Sequence, residues 1–375
     1  MTYIILIIIV IFLAYANGAN DNFKGVATLF GSGTTNYKGA IGWATITTAL
    51  GSVSSLFLAQ TLVKNFSGKG LLPDAVIGTP EFAIAIALGA ALTIMLASII
   101  GMPISTTHSL VGALAGSGLI AIGNEFNFIK LGGVFFLPLI LSPFIAAGLS
   151  FLAYWLFSKV RSKTKITKET CICVGEKPSE LIPQKAGNTT GLALLTSTQV
   201  GITLGTNTQC HDQHYGKILG INLEKLLNHA HYLSAGIVSF SRGLNDTPKI
   251  VGLLLILNIM NIQIGMTAVA IAIAAGGLLN AKKVAKTMSN KITKMNPGQG
   301  FTANLITGLL VTTASIHGMP VSTTHVSVGS LFGIGSVTRN TNLKVISQIL
   351  LSWLLTLPIA ALLSGIVYWI GLHLI

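Results

Sequence analysis

Charge is what this sequence lacks. Only 9% of its 375 residues are charged and just ten are acidic, where an ordinary soluble domain carries about 25% charged residues. So few charges exclude a fully solvated globular domain and turn most of the surface toward lipid. Three cysteines are too few for a disulfide framework. The chain has no glycine-rich Walker-type nucleotide loop, so nothing in it points to ATP as an energy source. No basic segment precedes Thr2, and the first apolar stretch therefore reads as a retained span rather than a cleaved leader.

What is present is apolar. Hydrophobic residues make up 51% and mean hydropathy is +0.74. Segments long enough for about 30 Å of hydrocarbon lie near 2–20, 39–62, 82–100, 104–122 and 131–158, and again near 227–257, 264–281, 301–317, 321–337 and 345–374. The expected fold is an all-α polytopic membrane protein of about 10–12 membrane segments, some broken or re-entrant. It divides into a first transmembrane repeat over 1–158, a hydrophilic loop over 159–225 and a second repeat over 226–375. The net charge of +13 sits in connections beside apolar spans, so it reads as the positive-inside rule and not as nucleic-acid binding. With the N-terminus outside, eighteen basic residues fall inside and five outside. The expectation is both termini outside, the central loop cytoplasmic and the chain embedded in plasma-membrane lipid. Five crossings per half would place the second half upside down relative to the first.

Two motifs recur in the same order. Gly18-Ala19-Asn20-Asp21-Asn22-Phe23-Lys24 returns as Gly243-Leu244-Asn245-Asp246-Thr247-Pro248-Lys249. Gly101-Met-Pro-Ile-Ser105-Thr106-Thr107-His108 through Gly112 returns as Gly318 through Gly329, nine of twelve positions being identical. Duplication with odd parity is the plan of transporters that hold their cargo near the midplane.

Eight of the ten acidic residues fall in loops or in the polar stretch; Asp21 and Asp246 alone end apolar segments. An ionised carboxylate at membrane depth is costly unless paired or ligated to an ion. Asn20, Asp21, Asn245 and Asp246 therefore read as two related sites for a hard cation such as sodium, which favours oxygen ligands. The competing use of each carboxylate is a salt bridge to Lys24 or Lys249, three residues on. The Gly-Met-Pro segments read as helix starts, with proline in the first turn and hydroxyls capping free amides. Helix N-termini suit anions, so Ser105, Thr106, Thr107, Ser322, Thr323 and Thr324 are the candidate anion site. His108 and His325 either sense pH or contact the anion, or simply pack. Gly112 and Gly116 have the spacing for close helix contact, within one chain or between the copies of a homodimer.

At these motifs the sequence resembles the inorganic phosphate transporter (PiT) family, with its paired Gly-Ala-Asn-Asp segments and its halves arranged around a polar loop. The resemblance covers roughly 1–158 and 225–375 and implies phosphate as substrate, with sodium or protons as coupling ion. Much of the family continues with a Val-Ala-Asn-Ala-like run, whereas this chain has Asn22-Phe23-Lys24 and Thr247-Pro248-Lys249. The combined expectation is a sodium-coupled phosphate symporter working by alternating access. It is expected to be no enzyme and to need no cofactor beyond sodium as coupling ion. A proton- or metal-phosphate-coupled carrier, a sulfate carrier on the same scaffold and an anion channel are the alternatives. In the polar stretch, Cys171-x-Cys173 with Cys210, His211 and His214 reads as scattered thiols and imidazoles rather than a zinc site, and 187–205 reads as an interfacial or loop helix.

Overall fold

The structure is a computed structural model that describes residues 1–164, 170–176, 182–186, 189–193, 200–206, 215–255, 257, 260–292 and 295–374. Among the described residues, ten principal helices carry the fold: α1 Thr2–Asp21, α2 Tyr37–Leu58, α3 Pro80–Ile100, α4 Thr106–Ile122, α5 Leu137–Thr164, α6 Leu223–Leu255, α7 Ile262–Asn280, α8 Pro297–Ile316, α9 Thr323–Thr338 and α10 Leu343–Leu374. Among the described residues, seven helical stretches are long and apolar enough to cross a bilayer; they contain α1 to α5, α7 and α10. Two of the other three fall short for reasons visible in their sequence. α9 has 16 residues, about 24 Å at 1.5 Å per residue, and α6 carries buried charges along its length. Large apolar side chains point outward, among them Phe57, Ile100, Phe144 and Leu354, while the interior holds hydroxyls, amides and charges beside an apolar core. An apolar exterior around buried polar groups belongs to a multi-pass membrane protein.

Local sequence sets the helix boundaries. The Asn36 side chain accepts from Gly39 N at 2.8 Å and starts α2. A capping box between Asn296 and Gln299, with Pro297 in the first turn, starts α8. The twin breaks are built alike. Gly101 and Gly318 take φ of +81° and +70°, a conformation glycine adopts without a Cβ clash. Beyond them, Met102 N bonds Ala97 O at 2.9 Å and Met319 N bonds Ala314 O at 2.8 Å, each closing the six-residue loop of a Schellman end. Proline then holds the chain extended. The next helix begins where Ser105 accepts from His108 N (3.1 Å) and Ser322 from His325 N (3.3 Å).

The halves interlock. A Cβ at Gly18 would strike Ile273 O on α7, and one at Gly243 would strike Thr48 O on α2. Gly276 lies against Tyr15 O and Gly51 against Phe240 O in the same way. Each of these residues lies 225 positions from its counterpart, so α1 sits on α7 as α6 sits on α2. Gly112 and Gly116 press on Leu357 and Ala361 of α10, while Gly329 and Gly333 press on Pro143 and Ala147 of α5. The Gly112–Gly116 spacing thus serves a contact within the chain.

The chain forms two compact units, Met1–Trp155 with His231–Ile375, and Leu156–Ala230. The second contains strands β1 Thr170–Glu176, β2 Ile182–Ala186, β3 Thr189–Ala193, β4 Val200–Thr206 and β5 Tyr215–Asn222. They pair as β4-β1-β5 and as a β2-β3 hairpin, both antiparallel. The helix expected over 187–205 is corrected here, since its described parts are β3 and most of β4. Alternation of apolar and small polar residues, as in Val200-Gly-Ile-Thr-Leu, is a two-residue period suited to a strand. Cys171 lies buried in β1; Cys210, His211 and His214 fall outside the described residues. Among the described residues no group of three His, Cys, Asp or Glu side chains is placed to hold a metal ion.

Candidate functional site

The two breaks meet the ends of the two Asn-Asp segments in one buried polar centre. α1 ends at Asp21 and continues through a 3-10 turn at Lys24–Val26 into a short helix, Ala27–Gly31. Asn20 spends both ends of its amide on the first break. Its oxygen accepts Ile104 N at 3.1 Å, and its nitrogen donates to Ser98 Oγ and Met102 O, each at 3.0 Å. Asn245 does the same work on the second. It accepts from Ser315 Oγ (3.2 Å) and donates to Val321 O (3.2 Å), to Thr323 Oγ1 (3.4 Å) and to the Asp246 carboxylate (3.1 Å).

The breaks also hold each other. Thr107 Oγ1 donates to Val321 O at 3.1 Å, and Thr324 Oγ1 donates to Ile104 O at 2.9 Å. The candidate anion residues therefore divide by role. Ser105 and Ser322 cap their helices, Thr106 donates to Asp21 Oδ2 at 2.9 Å, and Thr107 and Thr324 stand where the breaks meet. All six are buried.

Lys24 and Lys249 lie inside this centre. Lys24 Nζ reaches Asp21 Oδ1 at 2.5 Å, Ile104 O at 2.6 Å and Thr324 Oγ1 at 2.6 Å. Lys249 Nζ reaches Thr107 Oγ1 at 2.7 Å and Val321 O at 2.9 Å, with Asp246 Oδ1 at 3.6 Å. The lysine of each Asn-Asp segment thus donates to the threonine of the break from the other half.

Sequence reasoning missed two residues. Arg242 is one of the five basic residues that the charge count of the sequence places outside, yet it lies fully buried in α6. It donates to Asn17 Oδ1 at 2.6 Å and Asn22 Oδ1 at 2.9 Å, and its Nε lies 3.6 Å from Asp246 Oδ2. Asn17 joins the carboxylates, its Nδ2 lying 3.3 Å from Asp21 Oδ2, 3.2 Å from Asp246 Oδ2 and 2.9 Å from Thr106 Oγ1. A charged residue inside an otherwise helical membrane segment is a functional signal by itself, and that signal would have found Arg242. Removing the buried Lys24, Arg242 and Lys249 from the loop charges takes one from the predicted inside and two from the outside, so the charge asymmetry keeps its sign.

His108 and His325 stack side by side, centroids 4.3 Å apart, with His325 against Trp353 at 3.7 Å. His108 Nδ1 and His325 Nε2 are buried without a hydrogen-bond partner among the described residues. A separate buried network joins His231, Thr28 and Asn304. A cavity of about 450 Å³ is lined by Ile99, Lys282, Lys283, Lys286 and Ser98, the last being a hydrogen-bond partner of Asn20.

Comparison with known proteins gives this centre a family. A solved structure, "The sodium-dependent phosphate transporter", aligns over 100% of both chains with a TM-score of 0.76 and 24% identity, which establishes the shared fold. Two relatives named "Probable low-affinity inorganic phosphate transporter" match over nearly the whole chain. That of Bacillus subtilis is 26% identical, covering 98% of this chain and 96% of its own; that of Rhizobium meliloti is 25% identical, covering 97% and 95%. The model of the phosphate transporter family matches residues 17–364, a span that holds both Asn-Asp segments and both breaks. The chain belongs to the phosphate transporter family, whose members transport and do not catalyse.

Proposed function

We propose that this chain is a secondary active carrier that moves inorganic phosphate across the cell membrane by alternating access, holding the anion between its two helix starts. The reciprocity of the breaks carries this reading: Thr107 meets Val321 O while Thr324 meets Ile104 O. Two helix N-termini then face one small space, and each brings backbone N–H groups and partial positive charge. The ammonium groups of Lys24 and Lys249, held beside both breaks, add positive charge next to that space. Among the described residues five principal helices lie in each half, which gives an odd number of crossings whether the α3–α4 hairpin crosses or re-enters. The second half is then inverted, with both termini outside and the 159–225 loop cytoplasmic. Because α1 locks onto α7 and α6 onto α2, the bodies that move cut across the sequence halves.

Sodium coupling through Asn20, Asp21, Asn245 and Asp246 is the reading carried from the motifs, and the solved neighbour's name supports it for that protein. A second reading, coupling without sodium, is favoured by the lysines that hold both carboxylates. The anion site is tested with Thr107→Val and Thr324→Val. Each substitution leaves a buried ammonium short of an acceptor, a loss of about 1–3 kcal/mol, or roughly tenfold in half-saturating phosphate. Uptake of radiolabelled phosphate into proteoliposomes should show that rise for both, with excess sulfate failing to compete. Unchanged saturation in both variants, or sulfate competing as well as phosphate, would count against the site.

A further inference from the structure

We propose that the Lys24 and Lys249 ammonium groups act as tethered cations at the two Asp sites, so that phosphate binds and moves without sodium there. The inference rests on the reading of the twin breaks as the phosphate site.

A hard cation is held by carboxylate, carbonyl and hydroxyl oxygens, and an ammonium offers three donors to the same kinds of atom. Lys24 Nζ has one of each: Asp21 Oδ1, Ile104 O and Thr324 Oγ1. Lys249 Nζ repeats the set with Asp246 Oδ1, Val321 O and Thr107 Oγ1. These are the oxygens a sodium ion at either site would need, and they are taken by groups that cannot leave the protein. Both lysines are buried, at 2% and 0% exposure, so they are not surface charges that happened to fold inward. The residues present do not fit sodium at these two positions.

Charge balance gives the same answer. Lys24, Lys249 and Arg242 face Asp21 and Asp246, all at 3% exposure or less, which leaves one positive charge in excess. A buried charge needs a partner, and dihydrogen phosphate supplies one negative charge. Two added sodium ions would raise the excess to three, more than either phosphate form present near neutral pH can balance. The tethered ammoniums therefore do for phosphate what free cations would do, and they remain when it leaves.

The test is phosphate uptake by the full chain in proteoliposomes at fixed pH, with external sodium replaced by choline. The expected rates agree within about twofold in the two salts. A loss of tenfold or more in choline overturns the inference and leaves the phosphate carrier standing, whereas no phosphate uptake in either salt overturns both. The double variant Lys24→Ala with Lys249→Ala is expected to lose uptake at least tenfold in choline and to regain part of it in sodium. Uptake at the native rate in choline by that variant would also overturn the inference. Should the variant not fold, equilibrium binding of phosphate to the native protein in detergent still decides. The expected affinity is the same in both salts, and tenfold tighter binding in sodium contradicts it.

Discussion

At the scale of single residues, the site repeats Asn20, Asp21, Lys24 and the Ser-Thr-Thr starts in both halves and departs from that symmetry most sharply at one position. Asn17 and Arg242 lie 225 residues apart, the same separation as Gly18 and Gly243, so they are counterparts that differ and that bond each other at 2.6 Å. Matching the two copies by identity found Asn20, Asp21, Lys24 and their partners. It discarded this position because the copies disagree there, which is why both residues escaped the sequence. The roles of the six hydroxyls were only half legible, for a Ser-Thr-Thr run does not say which oxygen caps a helix and which faces a ligand. Asn17→Leu removes the amide shared by the carboxylates and one of the acceptors of Arg242. An unsatisfied buried charge costs about 1–3 kcal/mol or more, so phosphate uptake should fall at least tenfold while the protein still elutes as a single species. Native uptake by that variant would remove Asn17 from the site.

At the scale of elements, the twin Gly-Met-Pro breaks were readable because each part has one conformational reason. Glycine supplies positive φ, proline holds the residue before it extended, and serine caps the next helix. The strands of the 170–222 region were missed, because an alternation as short as Val200-Gly-Ile-Thr-Leu, set among Thr, Ser and Gly, does not by itself separate a strand from a loop. The interlocking of α1 with α7 and of α6 with α2 was also hidden. It depends on which glycine faces which carbonyl, a relation between distant segments. Gly276→Leu forces a side chain into Tyr15 O. Overpacking of that kind costs about 1–3 kcal/mol, and it should lower the thermal midpoint in detergent by several degrees. A midpoint equal to that of the native chain would show that α1 and α7 can part without penalty.

At the scale of the whole molecule, composition already excluded a soluble domain, and the scarcity of acids singled out Asp21 and Asp246. Orientation rests on the basic residues of the loops, whose asymmetry survives the burial of Lys24, Arg242 and Lys249. With the endogenous cysteines replaced, Ser162→Cys should react with a membrane-impermeant maleimide only after cells are opened, and labelling of intact cells would reverse the topology. Carriage through a site that opens alternately to each side predicts one behaviour that neither a channel nor a binding protein shares. Liposomes holding the native chain and preloaded with unlabelled phosphate should draw in external radiolabelled phosphate to a transient level above equilibrium. The overshoot should vanish in the Thr107→Val, Thr324→Val double variant. Label that rises only to equilibrium in preloaded liposomes, or an overshoot that survives the double variant, would contradict phosphate carriage by the twin breaks.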